Sequence, residues 1–267
     1  MPEYTITGVD GVVWEFPGTP SHGIKYVHGL GGAPFEMDDV TSVGQAGVTF
    51  VARDDKPNVI EVGAHIRSEV AGEAAVEVLT DWRKSLGRAN AVGDRLVTFE
   101  CVDSGRFQQC RLTEINDMDV ERMRYARWVL EELKLRSDES WWRSEPVDKT
   151  FTTFPASLVS KGDVASWASM KLTGPITNPV VGINGNTVAL PSLTAGQWLE
   201  IDSDPDWWTV KDQTGTDRTW KVGERWYVEK DGQIKPGTNT ITMTGSGTSS
   251  ETSLQVVAPQ LFYRAIG

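Results

Sequence analysis

The 267-residue chain carries 26 Lys+Arg against 37 Asp+Glu, a formal net charge of -11, with 39% hydrophobic and 24% charged residues. Such a composition suits a globular protein with a proper core and argues against a duplex-DNA reader, which needs a basic face to displace phosphate counterions. No run approaches the roughly 18 to 20 apolar residues of a membrane-spanning helix; the opening Met1-Pro-Glu-Tyr-Thr-Ile-Thr-Gly8 lacks the basic and apolar regions of a Sec-type signal, so neither is expected.

In chain order, short β-branched or aromatic runs come first: Val12–Trp14, Gly23–Val27, Gly47–Arg53 and Asn58–Val62. Gly and Pro punctuate them as strand ends require. Between the second and third, His28-Gly-Leu-Gly-Gly-Ala-Pro34 is glycine-rich, but a phosphate cradle needs a helix opening behind it. Pro34-Phe-Glu-Met reads instead as the start of a strand, so the segment is a loop. Over Glu73–Leu86, Ala75, Val78, Leu79, Trp82 and Leu86 recur at helical spacing, with Glu73, Glu77, Asp81 and Lys84 left for water. Gly87 follows as a stop. Arg95–Val102 and Arg106–Thr113 form a hairpin with Ser104-Gly105 at its tip, which sets Cys101 opposite Gln108 and Cys110 opposite Phe99. The two sulfurs are then diagonal neighbours, too far apart for an unstrained bridge, and are expected as free, half-buried thiols.

Glu121–Arg136 reads two ways: its charges with Trp128 and Leu130 suit a helix, and the alternation of Val129, Glu131, Leu133 and Leu135 suits a strand. Charge then shifts. Residues 1–150 hold 17 basic and 26 acidic side chains and residues 151–267 hold 9 and 11, which predicts two domains meeting near the polar, proline-bearing segment Arg143–Pro155.

The second half is turns and short strands. Ile183-Asn-Gly-Asn186 is a type I′ hairpin signal; Trp198–Ile201 and Trp207–Val210 flank an acidic turn; Gln213–Thr216 and Lys230–Gly232 are further turns; Thr240–Thr244, Ser253–Val257 and Leu261–Arg264 close the sheet. About eight short strands without a helix predict a β-sandwich or jelly roll.

No catalytic, cofactor-binding or metal-binding residue is assigned. His22, His28 and His65 stand at no metal spacing and are expected as structural, hydrogen-bonded imidazoles. No Gly-x-Ser-x-Gly elbow occurs. Asp202-Ser-Asp-Pro-Asp206 looks metal-like, but the positions where a calcium loop wants Gly and Glu hold Trp207 and Gln213, so an Asp-rich turn is predicted. Six of the eleven tryptophans lie in the second half (Trp167, Trp198, Trp207, Trp208, Trp220 and Trp226); they suit either a sugar-stacking face or the core and contacts of a sandwich.

The order of several marks resembles the distal tail protein (Dit) family of long-tailed, siphovirus-type bacteriophages. Val12-Val-Trp-Glu-Phe-Pro17 leads to Gly23-Ile-Lys-Tyr-Val-His-Gly-Leu-Gly-Gly32, Gly44-Gln-Ala-Gly-Val-Thr-Phe-Val51 and Asn58-Val-Ile-Glu-Val-Gly-Ala-His-Ile66; the helix and hairpin follow. Later come Thr177-Asn-Pro-Val-Val181, Trp198-Leu-Glu-Ile-Asp202, Ile234-Lys-Pro-Gly-Thr-Asn-Thr-Ile241 and Leu261-Phe-Tyr-Arg264. The resemblance implies a mainly β fold. An N-terminal β-sandwich or split-barrel-like ring domain with one helix would span 1–150, and a galectin-like β-sandwich 151–267. It makes Arg124–Leu135 a strand. It also implies a structural, non-enzymatic virion protein without cofactors: a hexameric hub ring at the tail tip, assembled in the bacterial cytoplasm, with a lumen for DNA passage. Implied partners are other copies of the chain, the tail tube protein, the tail-tip or baseplate hub protein, receptor-binding proteins and the tape measure protein. If the N-terminal negative charge lines the lumen, it repels the passing phosphates. The rival readings are a carbohydrate-binding module using the second-half tryptophans and a tail-tip glycan hydrolase.

Overall fold

The structure, a computed structural model, describes residues 3–16, 22–87, 96–222 and 232–267. Its strands are β1 (Tyr4–Thr7), β2 (Val13–Phe16), β3 (Gly23–His28), β4 (Phe35–Val40), β5 (Thr49–Asp55), β6 (Val59–Arg67), β7 (Val97–Cys101), β8 (Arg106–Ile115), β9 (Trp128–Ser137) and β10 (Trp142–Phe151). They continue with β11 (Ala156–Ser160), β12 (Ser169–Thr173), β13 (Thr177–Ile183), β14 (Asn186–Ala189), β15 (Trp198–Asp202), β16 (Thr209–Asp212), β17 (Gly237–Ser246) and β18 (Ser253–Phe262). Helices α1 (Glu73–Ser85) and α2 (Val120–Ala126) interrupt them. The fold is mainly β. The chain separates into two compact units, Met1–Trp142 with Tyr263–Gly267, and Arg143–Phe262. The five closing residues thus belong with the first unit.

In the first unit an antiparallel sheet runs β2-β1-β7-β8-β9-β6-β3. Its inner face alternates as strand geometry demands: Ile60, Val62, Ala64 and Ile66 of β6 are buried, as are Val129, Leu133 and Leu135 of β9. Helix α1 forms where its apolar spacing predicts, and lays Ala75, Leu79 and Trp82 on that face. Trp82 is fully buried with its ring 5.2 Å from Trp14 and 5.9 Å from Phe16, both edge-on. Burying a side chain of that size stabilises by roughly 3 kcal/mol or more.

Between α1 and β9 runs a buried ion pair. Arg83 Nε donates to Glu131 Oε2 at 2.8 Å, and Arg83 Nη2 to Glu131 Oε1 at 2.9 Å and to the Asn116 carbonyl at 2.7 Å. Glu131 therefore stands on the core side of β9, in the alternation with Val129 and Leu133, because a guanidinium waits there to fork onto it.

Two expectations change. The 121–136 segment is first a helix and then a strand, so 124–126 are not β. Asp119 caps α2 by accepting from the Arg122 amide at 2.9 Å, Met123 is fully buried, and Arg127 turns left-handed (φ 64°) to release the chain into β9. Within 121–136 the helix takes residues 121–126 and the strand residues 128–136. The Cys hairpin closes two residues earlier than a two-residue tip allows: Cys101 faces Arg106, Phe99 faces Gln108, and Cys110 faces Val97. A 3₁₀ turn, Val102–Ser104, makes the loop four residues long; the Ser104 hydroxyl donates to the Ala265 carbonyl at 2.6 Å and Gly105 takes positive φ. A shift of two preserves the pleat, so both cysteines stay on the core side, free and fully buried rather than half-buried.

The second unit is a sandwich of two sheets, β10-β18-β12-β15-β16 and β11-β17-β13-β14. Between them lies one core containing Leu158, Leu172, Ile183, Ile201, Ile241 and Val256. The Asn184-Gly185 turn joins β13 to β14 with φ of 53° and 90°, as type I′ geometry needs. Fully buried Asn239, in the Pro-Gly-x-Asn segment, exchanges two 2.8 Å bonds with the backbone of Lys235 and accepts from Asn184 Nδ2 at 2.8 Å. Trp207 and Trp208 precede β16 instead of joining it, and 261–262 end β18 instead of forming a strand of their own. Trp226 and the first two residues of the Lys230–Gly232 turn fall within 223–231, outside those described.

Candidate assembly surface

Among the described residues, strands β4 and β5 pair only with each other, as a two-stranded sheet apart from the larger one. Every residue of β4 and all of β5 except Asp55 are exposed. A free two-stranded hairpin is marginal in water, so what holds this one is its root. Lys56 N donates to the Pro34 carbonyl at 2.8 Å, Ala265 N to Leu30 at 2.8 Å, and the Ser140 hydroxyl to Asp55 at 3.1 Å. Buried Asn58 donates to both the Gly29 carbonyl (3.1 Å) and Gln108 Oε1 (2.8 Å). Two glycines of the 28–34 loop serve close approach here: a Cβ on Gly29 would strike the Val59 carbonyl, and one on Gly32 the Tyr263 carbonyl.

The register sorts the hairpin's side chains by face. Phe35 opposes Asp55, Met37 opposes Arg53 and Asp39 opposes Phe50, with Val51 as the extra residue at a bulge. Arg53 lies 4.1 Å over the Phe35 ring and pairs with Asp55 at 2.7 Å. This face presents Phe35, Met37 and Phe50, each about half exposed (47%, 58% and 58%). The opposite face carries Glu36, Asp38 and Asp54, with Lys56 bridging Glu36 (2.9 Å) and Asp54 (2.5 Å). The arm is thus amphipathic, with an apolar face uncovered in the single chain and a carboxylate-rich back.

Sequence reasoning placed strands at both segments but not their pairing or their projection. The signal was present in the alternation of Phe35-Glu-Met-Asp, yet a half-buried strand writes the same pattern.

The three histidines do not meet. His22 accepts from the Arg67 amide at 3.3 Å and packs on Trp14 and Phe16, burial and then Arg67 holding its imidazole below the usual range. His65 packs on Trp128 and is lowered by burial first and nearby cations second. His28 stacks on Tyr26. Asp202 and Asp204 each accept from the amide two residues on, at 3.1 and 3.0 Å, in successive Asx turns. Among the described residues no group of three or more His, Cys, Asp or Glu side chains could hold a metal, and no helix is long and apolar enough to cross a membrane. The predicted aromatic set is dispersed: Trp207 and Trp220 are largely exposed, and Trp198 lies under Lys171, whose Nζ is 4.2 Å from the ring.

No protein-family model matches the sequence, and no curated protein matches it. Solved structures do. The chain is similar to the Dit protein of phage SPP1, described as a hub adsorption apparatus in phages infecting Gram-positive hosts, with a TM-score of 0.68 at 13% identity over 96% of this chain and 98% of that one. It is similar also to a chain of the phage P2 baseplate in its activated conformation, with calcium (TM-score 0.56, 12% identity, 97% and 98% covered) and with strontium (0.56, 11%, 97% and 98%). At these identities the likeness establishes the fold: a Dit-type architecture over nearly the whole chain.

Proposed function

We propose that this chain is a structural hub protein of a phage tail tip, closing with five further copies into a ring between the tail tube and the receptor-binding apparatus. The observation that carries the reading is the rooted, exposed, amphipathic β4–β5 arm on a Dit-type fold. In the proposed ring the Phe35, Met37 and Phe50 face packs on the neighbouring copy, and the Glu36, Asp38 and Asp54 face turns to the lumen. Six acidic arms around a bore repel DNA phosphates and let the genome slide without sticking. The second unit offers the attachment surface for tail-tip or baseplate components. The role is one of architecture, not catalysis, and its place is the virion tail, after assembly in the host cytoplasm.

Negative-stain electron microscopy of the purified chain at high concentration tests the reading. Rings of sixfold symmetry with a central hole are expected. Monomers at every concentration, with and without purified tail tubes to template them, would overturn it.

A further inference from the structure

The sheet β10-β18-β12-β15-β16 turns one face to the core and the other outward. On the outward face a cleft of about 280 Å³ is lined by Ser169, Lys171, Glu200, Asp202, Lys211 and Gln255, among others. The strand registers make this cleft an ordered array. Lys171 pairs with Gln255 on one side and Glu200 on the other, and Glu200 pairs with Lys211. One row therefore reads amide, cation, carboxylate, cation at the inter-strand spacing of about 4.8 Å. The next row reads Val257, Ser169, Asp202, Thr209.

Lys171 and Glu200 are direct cross-strand partners, yet they form no ion pair. Lys171 Nζ is held over the Trp198 ring at 4.2 Å instead. No hydrogen bond or ion pair to the Glu200 carboxylate occurs among the described residues. Gln255 is fixed from behind, its Nε2 donating to both oxygens of Asp148 at 2.9 and 3.0 Å, which leaves Oε1 as an acceptor. Two cations, two carboxylates, an oriented amide and two hydroxyls thus line one cleft, with acceptors and donors interleaved and their charges balanced.

We propose that this cleft binds a neutral saccharide of one or two rings. A sugar hydroxyl both donates and accepts, so vicinal hydroxyls can bridge Lys171 to Glu200 and Glu200 to Lys211, where like-charged or apolar ligands have no match. An anion meets Glu200 and Asp202, and a cation meets the two lysines. The volume stands just below the roughly 300 Å³ lower bound of ordinary ligand sites, which limits the occupant to a mono- or disaccharide. The affinity expected of about a dozen to two dozen heavy atoms on so open a surface is on the order of millimolar. The proposal does not depend on ring formation.

The test is titration of the full, isotope-labelled chain by amide-resolved NMR with glucose, galactose, N-acetylglucosamine, lactose and maltose, inorganic phosphate serving as the charged comparison. At least one neutral sugar should give saturable shifts at Lys171, Glu200, Lys211 and Gln255. Glu200→Gln should weaken binding about tenfold or more, because it removes the charged acceptor between the two cations. Lys211→Met is the second variant, expected to act in the same direction, and both should keep the parent's melting temperature. Trp207→Ala should change nothing. Absence of saturable shifts with all five sugars, shifts that map to Trp207 and Trp220 instead, or equal binding of phosphate at the same residues would each overturn the proposal.

Discussion

Replacing Met37 and Phe50 together by Asp should abolish assembly and leave the fold of the single chain intact. Each side chain is 58% exposed in that chain, so roughly half of its surface remains for a neighbouring copy to cover. Complete burial of such a side chain contributes about 1.5 to 3 kcal/mol; covering the exposed part contributes about 1 kcal/mol each, or about 2 kcal/mol for the pair. The two carboxylates driven into the same contact without partners together cost at least about 2 kcal/mol more. The sum, about 4 kcal/mol per contact, is about three orders of magnitude in its association constant. Within the single chain both positions face water on a hairpin held at its root, so folding stability should move by no more than about 0.5 kcal/mol. Sedimentation velocity over a dilution series, with thermal denaturation alongside, reads both quantities. The variant should remain monomeric wherever the parent forms rings, with an unchanged melting curve. Assembly of the variant at the parent's midpoint would show that this face is not the contact, and the packing argument would fail.

Three further outcomes follow from the interior. Glu131→Ala should cost about 3 to 5 kcal/mol, because it leaves the Arg83 guanidinium buried and unpaired; the double change Arg83→Met with Glu131→Met should cost clearly less, and equal losses in denaturant titration would refute the pairing argument. The Cys110 thiol is pushed up to about 12 by burial first and by Asp138 and Glu139 second. Its folded pKa thus lies above its unfolded value, so stability is whole below about pH 9 and falls above it by about 1.4 kcal/mol per pH unit. The stability gap between the parent and Cys110→Ala should narrow accordingly from pH 9 to 11, and a gap constant with pH would contradict it. The Asp212 carboxyl is held well below the usual range, chiefly by the Thr214 hydroxyl and then by Arg218 and the 214 and 216 amides. Its contribution is present above about pH 4 and lost as pH falls further; Asp212→Asn should remove that acid sensitivity and speed hydrogen exchange at the Thr216 amide, and no change in either would refute the assignment.

The sequence by itself determined whatever a few neighbouring residues decide. The 3.6-residue spacing from Ala75 to Leu86 is enough for α1, and Asn184-Gly185 is enough for its turn, since positive φ is a property of those residues alone. The ordered marks along the chain were likewise enough to reach the Dit-type architecture that the solved structures bear out. Other features depended on partners distant in sequence. Glu131 fits its strand's buried alternation only because Arg83, 48 positions away, arrives beside it. The cysteine register was set by a 3₁₀ turn whose serine reaches Ala265, 161 residues on. Gly29 and Gly32 had no visible purpose until Val59 and Tyr263 came close. Most of all, the alternation in β4 and β5 could not say whether its apolar face meets a core or stands free. Local periodicity states which side of a strand is apolar; only the packed chain decides whether anything covers it.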